Sequence, residues 1–231
     1  MRLSQQTREI LKSFVAINPS IVIEPGNELS TLSPSKSVFA IAKTDVEFPK
    51  QAGIYDLKRF LEILSLYSEP KLEFQETQVT VTENRMFLNY TLCDPEMIIR
   101  LPPKQAKEFV RKQNNASFSL VAHVSAEQIT DALKVAKFFT AKEIKISGLD
   151  GEVLLSFNNQ ISQDKYEAVL GTTSHNFEMI FDREKLPLIN RDYEVWMRTD
   201  GLARFVSDDV TYFIAFKENW RRNHVERKEA A

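Results

Sequence analysis

The stretch "IYDLKRFLEIL" (residues 54–64) has a counterpart, "IFDREKLPLI" (residues 180–189), in the other half of the chain. Both begin with an apolar residue, an aromatic residue and an aspartate, and both continue as a short helical pattern with basic residues on it. Because aspartate is a favourable helix N-cap, each stretch predicts a strand end followed by a helix. We expect one helix to begin at Asp56 and a shorter one to begin at Asp182 and to be ended by Pro187.

The elements around these two stretches follow a similar order in both halves. A helix capped by Ser4 opens the first half, and a helix capped by Ser125 lies near the start of the second. Strand-like segments follow, and those between Lys71 and Leu92 predict an antiparallel meander. We therefore predict an α+β protein of two similar domains, each with two helices packed on antiparallel sheet. An accidental repeat stays open, because the triplet is also an ordinary strand exit followed by a helix cap.

The domain boundaries are predicted from a change in composition between the halves. Residues 93–115 contain Pro95, Pro102 and Pro103, a basic run and an Asn pair, which is typical of a connector. The predicted order is therefore an N-terminal domain, a connector, a C-terminal domain and a mobile, solvated tail. Their bounds are 1–92, 93–115, 116–219 and 220–231.

Composition limits the classes of protein to consider. The chain has 231 residues, of which 43% are hydrophobic and 27% charged, and 30 basic residues nearly balance 32 acidic ones. A single cysteine, Cys93, excludes an internal disulfide and fits a reducing cytoplasm. The N-terminus is too polar for a signal peptide, and no apolar run is long enough to span a bilayer. We expect a soluble, intracellular protein.

All four predicted helices carry basic residues opposite their apolar faces. Such residues attract phosphates without reading bases, which suits a protein that moves along DNA. A solvated face with ion pairs inside each helix is the competing interpretation, because each helix also carries an acidic residue. The basic residues are Arg8, Lys12, Lys58, Arg59, Lys134, Lys137, Arg183 and Lys185.

Motifs for catalysis or for a cofactor are missing from the sequence. There is no phosphate-binding loop of the G-x-x-x-x-G-K-[ST] type and no G-x-S-x-G. The three histidines, His123, His175 and His224, have no metal-ligand spacing with one another or with Cys93. We expect a protein that is not an enzyme and that uses neither a cofactor nor a metal.

Three stretches together resemble the DNA polymerase sliding clamps of T-even-type bacteriophages, in the same order and over nearly the whole chain. They are "RLSQQTREILKSFVAIN" (2–18), "IYDLKRFLEILSL" (54–66) and "DYEVWMRTDGLARFVSDDVTYFIAF" (192–216). The connector and the tail "NWRRNHVERKEAA" (219–231) depart most from the family.

The resemblance implies a ring of three subunits that encircles duplex DNA and tethers the replicative polymerase, which raises its processivity. Helices line the hole of such rings and sheets form the outer layer. The implied DNA-facing residues are Arg8, Lys12, Lys58, Arg59, Lys134, Lys137 and Arg183. The cytoplasm of an infected bacterium is the implied location. An ATP-dependent clamp loader is an implied partner. Activation of late transcription is a further role of the family, on which none of these residues bears.

Ring closure requires an edge strand from each domain. The strand order predicts Lys165 to Leu170 as the edge of the C-terminal domain and Met86 to Tyr90 as its partner in the N-terminal domain; interior strands are the alternative.

The resemblance also implies a hydrophobic pocket beside the connector for the C-terminal peptide of the polymerase. The candidates are Met97, Ile98, Ile99, Ala215 and Phe216, for which an interdomain core is the competing interpretation. In the tail, Arg221 and Arg222 are candidates for a further contact with DNA or with the loader.

A second class of function stays open beside the ring clamp. A monomeric or dimeric β-rich module that recruits a peptide without encircling DNA would carry many of the same features. Oligomeric state and DNA topology distinguish the two. A hydrolase would need a convergent polar pocket that the sequence does not show.

Overall fold

A computed structural model describes residues 1–158 and 164–217, which group into two compact units. The first unit contains residues 1–116 together with residues 209–211. The second contains, among the described residues, 117–158, 164–208 and 212–217. The predicted tail, with Arg221 and Arg222, lies outside the described residues.

The first unit contains three helices, seven strands and one 3-10 turn. The helices are α1 (Gln5–Ile17), α2 (Leu57–Ser65) and α3 (Pro103–Asn114), and the 3-10 turn is Pro95–Met97. The strands are β1 (Ile21–Ile23), β2 (Gly26–Leu32), β3 (Val38–Phe48), β4 (Ala52–Ile54), β5 (Lys71–Phe74), β6 (Gln78–Glu83) and β7 (Met86–Thr91). Strand β1 pairs with β4, and β2 pairs with β3, in both cases antiparallel. The predicted meander is present as the antiparallel sheet β5-β6-β7.

Helices α1 and α2 form where their caps and apolar spacing predict. The side chain of Ser4 accepts from the backbone N–H of Thr7 at the start of α1, and that of Asp56 accepts from Arg59 N–H at the start of α2. On α1 the apolar face includes Phe14, which is fully buried. Burial of such a side chain contributes about 2–3 kcal/mol. The buried residues of α2 are Leu57, Phe60, Leu61 and Leu64.

Helix α3 lies inside the segment that the sequence predicts to be a connector. Pro103 occupies its first turn, where a missing N–H costs no helical hydrogen bond. Its apolar contacts to the unit include Ala106, which is buried, and Phe109, whose ring centroid lies 5.1 Å from that of Phe39. The segment is therefore partly helical and packed, and the first compact unit extends through it to Ala116.

The second unit contains one α-helix, one 3-10 turn and eight strands among its described residues. The helix is α4 (Ala126–Phe138), and the 3-10 turn is Arg183–Lys185. The strands are β8 (Ser119–Val124), β9 (Glu143–Leu149), β10 (Glu152–Asn158), β11 (Lys165–Thr172), β12 (Phe177–Asp182), β13 (Tyr193–Arg198), β14 (Leu202–Val206) and β15 (Val210–Ala215). They form two groups, ordered β11-β10-β9-β12 and β15-β14-β13-β8.

The predicted hairpin in the second unit joins β9 to β10. Its two loop residues, Asp150 and Gly151, have φ values of 52° and 89°. Positive φ at both positions is the backbone of a type I′ turn, which matches the twist of the flanking strands.

The short helix predicted from Asp182 is a single 3-10 turn. Pro187 disfavours helical backbone at Leu186, so only Arg183 to Lys185 remain between the cap and the proline. The described part of the second unit therefore has one α-helix, α4, where the prediction has two helices.

Within the parts of the chain that the structure describes, helices long and apolar enough to cross a membrane are absent.

Candidate nucleic-acid interface and partner surfaces

Four predicted DNA-facing residues lie on α1 and α2, two helices that contact each other in the first unit. Lys12, Lys58 and Arg59 are exposed, and Arg8 is half-buried. Lys58 forms an exposed ion pair with Glu62 at 3.8 Å, which is worth little in water and leaves the lysine available to phosphates.

Arg8 and Lys12 line a concave surface beside the N-terminal residues. Arg2 lines it too, and forms an exposed ion pair with Glu69 at 3.5 Å. The Nε of Arg8 is buried without a hydrogen-bond partner. Three basic residues face two acidic ones, Glu9 and Glu69, on this surface, so it attracts anions moderately.

The second unit places its predicted DNA-facing residues in two settings. Lys134 and Lys137 are exposed on α4, and Lys134 forms an ion pair with Asp131 at 2.9 Å. Arg183 instead donates from Nε to the backbone oxygen of Ala141 at 2.8 Å and is only 30% exposed. Arg183 therefore holds the segment after α4 in place by this hydrogen bond, and its guanidinium is less able to reach a ligand.

The two strands predicted to close a ring both lie at the end of a sheet. Strand β7 is the outer strand of β5-β6-β7, and β11 is the outer strand of β11-β10-β9-β12. Met86 is exposed, whereas Tyr90 packs on Phe60 with ring centroids 4.9 Å apart. Lys165 is exposed, whereas Leu170 is buried, so its side chain belongs to the core and only its backbone lies at the edge.

Large apolar side chains accompany both edge strands. On β7, Phe87 is 67% exposed, and Leu66 at the end of α2 is 76% exposed. Near β11, Phe138 at the end of α4 is 83% exposed. Phe138 and Leu66 are not among the interface residues predicted from the sequence. The helical pattern contains the signal for Phe138, because it lies off the buried stripe of Ile129, Ala132 and Ala136.

The connector candidates lie on a fixed segment of the first unit. Met97 and Ile99 are 67% and 50% exposed, whereas Ile98 between them is buried. The backbone oxygen of Ile99 accepts from Asn18 Nδ2 at 3.1 Å. The segment therefore presents two apolar side chains to solvent and anchors the third.

The two candidates in the second unit differ from each other. Ala215 is exposed at the end of β15. Phe216 is buried, and its ring centroid lies 5.9 Å from that of Phe181, which is fully buried. Phe216 is thus part of the core of its own unit, and Ala215 is the accessible member of the pair.

Titratable groups near these surfaces have structural partners. Hydrogen bonds from Lys185 and then Lys217 lower the pKa of Asp182. Hydrogen bonds to Asp182 and then to Glu143 raise the pKa of Lys217. Desolvation raises the pKa of the Cys93 thiol, which disfavours the thiolate that a nucleophile needs. Groups of three or more His, Cys, Asp or Glu side chains that could hold a metal ion are absent from residues 1–158 and 164–217.

Curated relatives of this chain are sliding clamps of bacteriophages. The sliding clamp of Vibrio phage KVP40 is 26% identical over 229 residues, which cover 93% of this chain and 98% of the relative. Those of Escherichia phage RB69 and Enterobacteria phage T4 are 26% and 23% identical, and each match covers 94% of this chain and 97% of the relative. No protein-family model matches the chain. The resemblance predicted from three sequence stretches is confirmed.

Solved structures of clamps share the fold. PCNA of A. fulgidus, bound to the C-terminal region of FEN-1, has a TM-score of 0.66 and 14% identity, over 92% of this chain and 95% of that one. A DNA polymerase III subunit beta sliding clamp from Bartonella birtlesii has a TM-score of 0.67 and 14% identity, over 94% of this chain and 65% of that one. The predicted α+β clamp fold is confirmed.

Proposed function

We propose that this chain, which is similar over nearly its whole length to phage sliding clamps, is itself a sliding clamp that encircles duplex DNA and tethers the replicative polymerase. The likeness to curated clamps, which covers 93% and 94% of the chain, carries this proposal. In this proposal the two compact units correspond to its two clamp domains, and residues 93–115, at the end of the first unit, are the connector. A sliding clamp of this kind needs no catalytic activity of its own.

The exposed basic residues of α1, α2 and α4 supply the attraction to DNA. Phosphate contacts of this kind are diffuse, act partly through water and carry no base sequence, so the protein remains free to slide. Arg183 contributes little, since its guanidinium is already held by the carbonyl of Ala141.

Three copies close a ring by pairing β7 of one copy with β11 of the next. Both strands offer unpaired backbone groups at a sheet edge, and such edges are templates for pairing. Their different side chains make the contact heterologous, so closure depends on the rotation between copies. Phe87 on β7, and Phe138 at the end of α4, a helix that contacts β11, supply apolar area around the paired strands.

The remaining partners follow from the proposed ring. An apolar C-terminal peptide of the polymerase binds near the connector, and an ATP-dependent loader opens the ring. The cytoplasm of an infected bacterium is the compartment in which these partners meet.

Native mass, measured by light scattering after size exclusion over a wide range of concentrations, tests this proposal. We expect three times the subunit mass of 26.7 kDa, with dissociation on dilution. Phe138→Ser should raise the concentration needed for assembly about tenfold or more, because an exposed aromatic at an interface is a common hot spot. Leu149→Ser, which alters a 52% exposed side chain on the β9–β10 hairpin, is the matched control.

A persistent monomer at all concentrations would contradict the ring. It would favour the alternative of a peptide-recruiting module that does not encircle DNA. Equal effects of Phe138→Ser and Leu149→Ser on assembly would contradict the assignment of the β11 edge.

A further inference from the structure

We infer that opposite charges at the ends of β7 and β11 fix the direction and the register in which these two strands pair between copies of the chain. This inference rests on the proposed function and deepens it, because it names the residues that select a second copy of this chain and disfavour other pairings. The register that we infer is antiparallel and places Phe87 of one copy opposite Val169 of the next.

The start of β11 is basic. Lys142 and Lys165 are exposed and line one concave surface together with Lys145, Glu143 and Glu167. Lys145 and Glu143 are already engaged in ion pairs with other residues of the second unit. Lys142 and Lys165 form no ion pair with any residue that the structure describes. They therefore give this end of the strand a positive charge, which Glu167 only partly offsets.

The other end of β11 is acidic. Glu152 is exposed and lies directly opposite Thr172, the last residue of β11, in the pairing of β10 with β11. Asp150 is exposed in the turn just before Glu152. Strand β11 therefore carries opposite charges at its two ends.

Strand β7 carries its charges in the reverse order, and its start is basic. Arg85 is exposed directly before Met86, the first residue of the strand. The nearest acid along the chain is Glu83, whose carboxylate accepts from the backbone N–H groups of Ser68 and Glu69. Arg85 is therefore the charged group that this end of the strand presents.

The end of β7 is acidic. Asp94 is exposed three residues after Thr91, and Asp56 is exposed beside Tyr90, whose hydroxyl donates to the backbone oxygen of Asp56 at 3.0 Å. Both carboxylates are held in place, because each accepts from a backbone N–H two or three residues later, at 2.9 and 2.8 Å. Arg59 is the exposed base nearby, so two fixed acids face one base.

This distribution of charge selects the direction of pairing. In an antiparallel pair, the basic start of β11 meets the acidic end of β7, and the acidic end of β11 meets the basic start of β7. A parallel pair would place like charges together at both ends. Because juxtaposed like charges oppose association, the charges favour the antiparallel pair.

Two exposed apolar side chains select the register. Phe87 is 67% exposed and Val169 is 49% exposed. Each lies on the face of its strand that is turned away from the core, since Tyr90 on the other face of β7 packs on Phe60, and Leu170 on the other face of β11 is buried. Pairing Phe87 with Val169 covers both and keeps the two buried faces on one side of the joined sheet. A shift by one residue would turn the two side chains to opposite faces.

The same register brings the charged ends together. Lys165 lies opposite Thr91, three residues before Asp94, and Arg85 lies opposite Gly171, beside the acidic end of β11. Exposed ion pairs of this kind add little affinity each. Their effect is on specificity, because a wrong direction or a strand with other charges meets repulsion instead.

Disulfide cross-linking tests the register in the full chain with Cys93→Ser. Phe87→Cys and Val169→Cys should join copies in the presence of oxidised glutathione, because directly opposed residues have Cβ atoms about 4.5–5.5 Å apart. The matched control combines Phe87→Cys with Glu167→Cys, two residues away on the same face and about 7–8 Å distant, too far for a disulfide. Non-reducing gels should show covalent oligomers for the first pair and almost none for the control.

A double-mutant cycle tests the charges. Lys142→Gln with Lys165→Gln should raise the concentration needed for assembly about fivefold at low salt. Asp56→Asn with Asp94→Asn should have a similar effect, and asparagine preserves both caps. All four substitutions together should do no more than either pair, because each pair removes the same contact.

The control for the cycle is Lys36→Gln with Lys50→Gln, two exposed lysines outside these strands, which should leave assembly unchanged. Equal cross-linking of both cysteine pairs, cross-linking of neither pair in a chain that still assembles, or additive losses in the cycle would overturn the inference. Native mass separates these outcomes from a failure of the proposed function. A trimer that does not cross-link contradicts only the register, whereas an unsubstituted chain that stays monomeric contradicts the ring.

Discussion

At the scale of single residues, Asp45 joins the start of α1 to strand β3. Its Oδ1 accepts from Ser4 Oγ at 2.5 Å and from Thr7 Oγ1 at 2.9 Å, and its backbone N–H donates to Gln6 Oε1 at 3.1 Å. The Ser4 hydrogen bond is the largest cause of a pKa below the usual value of 3.8. The charged carboxylate is therefore the form that the folded unit favours.

This contact predicts a pH dependence of stability. Because the folded state lowers the pKa of Asp45, the contribution is complete above about pH 4 and is lost as pH falls through the folded-state pKa. Asp45→Ala should lower the free energy of unfolding at pH 7 by about 0.5 kcal/mol, since the group is exposed and screened by solvent. Thermal melts at pH 7 and at pH 3 measure this; an equal loss at both values would contradict it.

Ser4 and Asp56 were predictable as caps because a short acceptor before a run of spaced apolar residues has few other uses. The role of Arg183 was not predictable in the same way. In the sequence it is a basic residue after an N-cap, and only the fold brings Ala141, more than forty residues away, to its Nε. For Phe216, a core position was the competing interpretation of the sequence, and its side chain is buried.

At the scale of elements, we propose that α1, α2 and α4 carry the attraction for DNA. We predict that Lys12→Glu, Lys58→Glu and Lys134→Glu together weaken clamp loading and flatten the dependence of DNA binding on salt. Each lost phosphate contact removes about one counterion from that dependence. The fold should persist, because all three side chains are exposed.

The matched control reverses the same amount of charge elsewhere. Lys36, Lys50 and Lys104 are exposed and lie outside these faces. Processive synthesis at moderate salt should fall with the first set of reversals and persist with the second. Unchanged synthesis in the first set would show that these helices do not face DNA.

Strands and amphipathic helices were predictable from the spacing of their apolar residues. The edge positions of β7 and β11 are those expected from the order of strands in the sequence. Helix α3 was missed because its sequence is mostly polar and its apolar residues, Ala106, Phe109 and Val110, form only a one-turn stripe. Pro102 and Pro103 at its start indicated a loop, although proline is also favourable in a first helical turn.

At the scale of the whole molecule, one chain carries two unlike sheet edges and basic helices in both units. Heterologous edges of this kind produce either a closed ring or an open filament, and the rotation between copies decides which. The rotation between copies cannot be predicted from the amino-acid sequence. The likeness to phage clamps, which covers 93% of the chain, is what favours closure.

Retention on DNA with blocked ends tests the central claim, that the protein encircles its duplex, most directly. The protein is incubated with linear DNA biotinylated at both ends, streptavidin is added to block the ends, and the complex is gel-filtered at salt high enough to remove diffuse phosphate contacts. We predict that the protein stays with the blocked DNA and is lost once a restriction enzyme creates free ends. Equal retention before and after cutting, or none on blocked DNA at any protein concentration that gives the trimer, would contradict encirclement.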